Sequence, residues 1–217
     1  MMDLKGQSKL LLEAANRYAQ EISPEAIVAL EERGISEEIA ALYMLGSVTD
    51  PMNGHELHTG WISIPYITAL GHCVGFKFRR LDGGLPKYGS PTGQKAHLYN
   101  VVDTTILSKH IVVCEGELDT VIVSGVLGIP AVGVPGVQAW KPHFAKLLSG
   151  YDTVYIVGDN DVKEDGSNPG MEFSKRVQQE VLNGTIVYLP PNMDINDYYL
   201  AHGAEATQAL LVGEGNG

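Results

Sequence analysis

The sequence predicts an α/β protein, a Rossmann-like parallel sheet preceded by a smaller α+β subdomain. Three observations carry that expectation. From residue 109 onward, short β-branched runs alternate with segments of helical period. Ahead of them, capped helices give way to two period-2 segments around a turn. The chain has 217 residues, 44% of them hydrophobic and 19% charged, a globular composition with enough length for one large or two small domains. The boundary is placed between an N-terminal subdomain, 1–108, and a sheet domain, 109–217.

In chain order, residues 4–20 read as an amphipathic helix with Leu4, Leu11, Ala15 and Tyr18 on one face. Ser23-Pro24-Glu25 starts a second helix with a capping hydroxyl, a proline at the first helical position and an early acid; Gly34 ends it. Ser36-Glu37-Glu38 starts a third, ending at Gly46. The outline is that of a helix-turn-helix, but residues 37–45 carry no basic or amide side chain to read bases, so the unit is assigned to packing. Strands at 61–66 and 72–79 form a hairpin around Leu70-Gly71. Alternation puts Val74, Phe76 and Phe78 on the core face and Cys73, Gly75, Lys77 and Arg79 on the other, with Arg80 beside them. Residues 81–95 are glycine-rich, carry Lys87, Tyr88 and Lys95, and are too long for a turn, as functional loops are. The sheet domain then reads strand 111–114, helix 117–127, strand 130–134, helix 141–149, strand 153–157, helix 170–182, strand 185–189 and a helical pair from about 196.

Charge narrows the function. The net charge of −11 argues against a general nucleic-acid binder, but its distribution is uneven. Residues 71–100 hold five basic side chains and one acid, between flanks with 4 basic and 10 acidic and with 6 basic and 15 acidic residues. Such an island can still hold a phosphate backbone. Cys73 and Cys114 are expected as buried free thiols, and no zinc is expected, since His55 and His58 have no cysteine pair beside them. No apolar run has the length of a membrane span and the N-terminus has no signal-peptide order, so a cytoplasmic protein with no membrane partner is expected.

Three buried strands end in acids: Glu115-Gly116-Glu117-Leu118-Asp119, Asp159-Asn160-Asp161 and Asp194-Ile195-Asn196-Asp197. Ligands of open parallel sheets bind at the carboxyl ends of the strands, so these acids should converge. A lone acid after a strand is more often a helix cap; three clusters at equivalent positions of one sheet favour a site. Clustered carboxylates repel unless protons or cations neutralise them, and hard oxygen ligands suit Mg²⁺ or Mn²⁺ for phosphoryl transfer. No Gly-x-x-x-x-Gly-Lys-Ser/Thr loop exists, which excludes a helicase-type ATP motor built on that loop.

This acidic pattern resembles the Toprim domain of DnaG-type primases, topoisomerases and some nucleases. Arg33-Gly34-Ile35-Ser36, Ile64-Pro65-Tyr66, Phe78-Arg79-Arg80, Pro86-Lys87-Tyr88, Ser90-Pro91 and Leu98-Tyr99-Asn100 resemble, in that order, the N-terminal part of a primase polymerase domain, with bacteriophage primases the nearest-looking group. The match spans about residues 30–203. The resemblance implies metal-dependent synthesis of RNA primers from ribonucleotides on single-stranded DNA. It implies catalytic Glu115, Asp159 and Asp161, with Glu115 a metal ligand and proton acceptor, Asp159 and Asp161 the principal ligands of Mg²⁺ or Mn²⁺, and Asp119 and Asp194 supporting. Lys77, Arg79, Arg80, Lys87 and Lys95 match basic positions that contact template or nucleotide. Where the family reads Asp-Gly-Asp-x-Ala-Gly-Arg, this chain has Asp159-Asn160-Asp161, an insertion through Glu164-Asp165-Gly166-Ser167-Asn168, and then Pro169-Gly170-Met171 without the basic residue. A zinc-module protein and a replicative helicase are expected on other chains. A Toprim nuclease and a non-catalytic replication subunit are the alternatives.

Overall fold

The computed structural model describes residues 4–213, without the side chains of Leu4 and Lys5, so the core-face position expected of Leu4 lies outside the described residues. The chain forms two compact units, Met1–Lys95 and Ala96–Gly217.

The first unit holds helices α1 (Leu4–Gln20), α2 (Pro24–Glu31) and α3 (Glu37–Leu42) and strands β1 (Gly46–Ser47), β2 (Ile62–Ile67), β3 (Cys73–Arg79) and β4 (Tyr88–Gly89), an antiparallel sheet in the order β1-β2-β3-β4. The cap signals act as the sequence implies: Ser23 Oγ accepts from the Ala26 amide at 3.2 Å and Ser36 Oγ from the Ile39 amide at 3.4 Å. Ala14, Ala15 and Tyr18 of α1 pack with Val48, Cys73, Phe76 and Phe78. Gly46 permits this approach, because a Cβ there would lie 2.1 Å from the Tyr18 carbonyl oxygen.

One alternation differs from expectation. Pairing runs Tyr66 to Gly75 and then Ile67 to Cys73, so Val74 is an extra residue, a bulge. The bulge turns Cys73, not Val74, into the core with Phe76 and Phe78; Val74 is half-buried. A one-residue insertion reverses every inference of face beyond it. His55 and His58 lie in this aromatic cluster: His58 stacks on Phe78 at 4.2 Å and His55 meets the rings of Phe76 and Phe78, each at 4.9 Å.

The second unit alternates β5 (His110–Cys114), α4 (Glu117–Val121), β6 (Ala131–Gly133), α5 (Pro142–Leu147), β7 (Thr153–Val157), α6 (Pro169–Glu180), β8 (Gly184–Ile186) and α7 (Ile195–Val212). All pairings are parallel, in the order β6-β5-β7-β8. The chain leaves β5 towards one edge and returns to its other side for β7, so the direction of winding reverses between them. That is the switch point at which such sheets open a crevice. The expected helix at 117–127 is α-helical only to Val121 and continues as a π-turn, Ile122–Val126, while Gly203, at φ 80°, breaks α7 into the expected pair. Residues 96–108 belong with this sheet. Tyr99 exchanges backbone bonds with Gly133, at 2.8 and 3.1 Å, and buried Asp103 accepts from the Ala131 amide at 2.9 Å and from Ser124 Oγ at 2.6 Å. They cover the edge that β6 would otherwise expose. Ile111, Val112, Val113 and Cys114 are fully buried, as the middle of a parallel sheet requires. Both thiols are free and buried. No described helix is long and apolar enough to cross a membrane.

Candidate active site

Glu115 directly follows β5, and Asp159 lies two residues beyond β7, on the two sides of the switch point. The Asp159 amide donates to Glu115 Oε2 at 3.0 Å, which ties the two strand ends together. Two glycines allow the approach. A Cβ on Gly158 would lie 2.2 Å from the Gly170 carbonyl oxygen, and one on Gly170 would lie 2.2 Å from the Asp159 carbonyl oxygen and 2.6 Å from Glu115 Oε2. The first turn of α6 therefore lies against the site backbone.

Asp119 enters from the first turn of α4, after Gly116 at its N-cap. Asp194 has a structural duty as well, since it caps α7: its Oδ1 accepts from the Asp197 amide at 2.7 Å, and Asp197 Oδ2 accepts from the Asp194 amide at 3.3 Å. Asn160 fixes the loop between the strand ends. Its side chain donates to the Leu189 carbonyl at 2.6 Å and accepts from Asn168 Nδ2 at 2.7 Å.

The electrostatics join all five acids. Burial pushes the Asp159 carboxyl up to about 9, and the charges of Asp119, Glu115, Asp194 and Asp161 push it the same way. Glu115 is also raised, by burial first; the Asp159 amide and Lys163 oppose this, and Asp161 and Asp194 add to it. Like charges gathered in a half-buried crevice produce this pattern. Among the described residues no three Asp, Glu, His or Cys side chains stand close enough to clasp an ion by themselves. The donor chemistry still fits Mg²⁺ or Mn²⁺, which take one or two carboxylates and complete their shells with water and substrate phosphates.

In the first unit, Arg79 and Tyr88 face each other across β3 and β4, and Arg79 Nη1 donates to Tyr88 Oη at 2.7 Å. Arg79 and Lys77 also lie over the Tyr88 ring, 5.2 and 5.8 Å from its centre. Arg80 has different company: it stacks on Trp61 at 4.8 Å, pairs with Asp82 at 2.9 Å and donates to the Leu85 carbonyl at 2.8 Å. Lys87 and Lys95 are exposed.

No family model matches the chain. The gene 57 protein of Mycobacterium phage D29 is 39% identical over 154 residues, 69% of this chain and 97% of that protein. The DNA primase of Rickettsia felis is 25% identical over 245 residues, which covers 93% of this chain. The chain belongs to the DnaG-type primase family. It spans 40% of the length of the Rickettsia felis primase. Its fold is that of a DnaG catalytic core: a DnaG primase catalytic domain solved with single-stranded DNA superposes with a TM-score of 0.76 at 19% identity, over 95% of this chain and 81% of that one.

In this primase-family core, sequence reasoning missed what surrounds the acids and bases. Trp61 and Tyr88 organise the cations, Gly158 and Gly170 bring α6 to the acids, and Gln94 completes an edge of β3. The Gln94 amide accepts from the Phe76 amide at 2.7 Å and donates to the Phe76 carbonyl at 2.9 Å, in place of a neighbouring strand. The spacing of Gly158 and Gly170 around the Asp-Asn-Asp loop was the signal for the close approach.

Proposed function

We propose that this primase-family chain is a catalytic core that synthesises RNA primers from ribonucleotides on single-stranded DNA with Mg²⁺ or Mn²⁺. The observation that carries the reading is the carboxylate set at the β5–β7 switch point, where burial and four neighbouring acids hold the Asp159 carboxyl up at about 9. A face this unfavourable to its own ionisation costs stability unless a bound cation repays it.

Asp159 and Asp161 are the principal metal-holding side chains in this reading, with Glu115, Asp119 and Asp194 around them. The metal would supply Lewis-acid charge to the phosphoryl oxygens and the attacking hydroxyl. Glu115 is raised from the ordinary carboxyl range, which suits it to accept the hydroxyl proton. Gly158 and Gly170 let the first turn of α6 close on the Asp159 backbone. Lys77, Arg79, Arg80, Lys87 and Lys95 serve template and nucleotide phosphates, with Arg79 and Lys77 aligned by Tyr88. A separate zinc-module protein and a replicative helicase supply template choice and delivery, in the cytoplasm where replication proceeds.

The test is incorporation of labelled ribonucleotides on single-stranded DNA with Mg²⁺ or Mn²⁺, for the wild-type chain and for Asp159→Ala and Asp161→Ala. Product from the wild type and none from the variants is expected. Shortened DNA in place of incorporated nucleotide would make the chain a nuclease, and metal-dependent DNA binding with no product would make it a non-catalytic subunit.

A further inference from the structure

The acids at the switch point face a difficulty that metal alone leaves in part. A nucleotide triphosphate is itself strongly anionic, and it must approach a surface of five carboxylates. The loop between β7 and α6 carries a basic side chain at that place. Lys163 Nζ stands 3.7 Å from Asp161 Oδ2, and Lys163 is the positive charge acting on Glu115.

The loop that presents it is closed at its base and braced within. Asn168 Nδ2 donates to Asn160 Oδ1 at 2.7 Å, joining the two ends, while the Asn160 amide donates to the Met193 carbonyl at 3.0 Å and the Asn192 amide to the Asn160 carbonyl at 2.7 Å. Inside it, the Lys163 amide donates to the Ser167 carbonyl at 2.8 Å and the Gly166 amide to the Lys163 carbonyl at 2.9 Å. Asp165 Oδ1 accepts from both the amide and the hydroxyl of Ser167, at 3.0 and 2.6 Å. Gly166, at φ 81°, makes the turn possible. The backbone of Lys163 is thus anchored while its side chain stays half-exposed, 55% for Lys163 and 54% for Asp161. An exposed pair of this kind is weak and readily exchanged.

We propose that Lys163 is a polyphosphate-binding residue of this site: it pairs with Asp161 and carries its ammonium to the nucleotide triphosphate when Asp161 turns to metal. The assignment rests on the function proposed above. It makes the insertion between Asp161 and Pro169 part of nucleotide binding.

Two measurements on the full chain test it: Mn²⁺ binding without nucleotide, by calorimetry or the loss of free-Mn²⁺ paramagnetic signal, and the KM and kcat of ribonucleotide incorporation. Lys163→Ala frees Asp161 from its counter-ion, so Mn²⁺ should bind equally or up to about threefold more tightly. KM for ribonucleotide should rise about tenfold, the scale of one charge-assisted phosphate contact, with kcat changed less than about threefold. Lys163→Arg should restore most of the KM. An unchanged KM in Lys163→Ala, with wild-type Mn²⁺ binding intact, overturns the assignment of Lys163 and leaves the metal site standing. A wild-type chain that binds neither Mn²⁺ nor nucleotide overturns the site itself and Lys163 with it.

Discussion

The two units treat charge in opposite ways. In the first, each arginine of the basic strand has neutral or opposite company: Arg79 has the ring and hydroxyl of Tyr88, and Arg80 has Trp61, Asp82 and the Leu85 carbonyl. In the second, Asp159 and Glu115 are surrounded by further acids, and burial makes ionisation harder still. The cations are held in shape before any ligand arrives. The acids are held under repulsion, and that repulsion is relieved by a proton or a metal ion. Under the proposed function, a surface that grips successive phosphates gains from preset geometry, whereas a site for a catalytic cation gains from an unmet demand for charge.

The strongest way to break this comparison is Asp159→Asn. Primer synthesis should fall at least about a hundredfold, the scale of losing a principal electrostatic group at a phosphoryl-transfer centre. The same change should stabilise the metal-free protein. The folded carboxyl lies at about 9, above its ordinary 3.8, so the folded state binds more protons, and the stability this confers is lost as pH rises through that window. The melting difference between Asp159→Asn and wild type in chelator should therefore widen from about pH 5 to about pH 9. Parallel melting curves would show that Asp159 is not under the strain described.

Gly170→Ala tests the same centre without touching a charge. Its Cβ would meet the Asp159 carbonyl oxygen and Glu115 Oε2 at 2.2 and 2.6 Å; the first is backbone, and Glu115 moves aside only by giving up its bond from the Asp159 amide. Overpacking of this kind costs about 1–3 kcal/mol in melting experiments, and displacement of the strand ends should cut incorporation about tenfold or more. Wild-type rates in Gly170→Ala would mean that the acids tolerate drift.

On the other side of the comparison, Arg79 and Arg80 should separate. Arg79→Ala should weaken binding to single-stranded DNA about tenfold and lower the slope of log affinity against log salt by about 0.7, one phosphate contact on a single strand. Arg80→Ala should change that slope less and lower the melting temperature more, because Arg80 joins Trp61 to the loop through Asp82 and Leu85. Equal effects on slope would put Arg80 on the same footing as Arg79 within the binding surface.

Legibility in the sequence followed the range of the interactions. Ser23 and Ser36 announce their helices because a cap acts within three residues, and the acids after β5 and β7 stand out because each follows an unbroken apolar run. Period-2 reading failed at Val74, because a bulge is one residue in a strand and leaves no mark of composition. The Gly-rich segment concealed β4, two residues long and made by pairing with β3 rather than by its own propensity. Residues 96–108 fall in the second unit for a reason no local pattern carries, since Asn100 and Asp103 reach Ala131 across 31 and 28 residues. The partners of Arg80 and the contacts of Gly170 are tertiary facts, and no local pattern encodes them.

The smallest effect lies in the aromatic core of the first unit, and it runs opposite in pH to that of Asp159. His55 is 2% exposed, between Phe76 and Phe78, with its Nδ1 3.1 Å from Tyr18 Oη. Burial first, and the neighbouring His58 with it, lower its imidazole from 6.5 to about 4 against the opposing charge of Glu56. A lowered folded value means that the unfolded chain binds the proton more readily, so stability is complete above about pH 6.5 and lost as pH falls towards 4. Between about pH 7 and about pH 5.5 this group alone should remove about 1 kcal/mol. His55→Gln removes the titration, so its stability should fall less over that interval than the wild type's, whatever packing it loses at neutral pH. If the two curves keep a constant gap, His55 is not the buried neutral group described. If the gap narrows with acid, the first unit weakens in acid where Asp159 makes the second weaken in base, and the opposed handling of charge extends to stability itself.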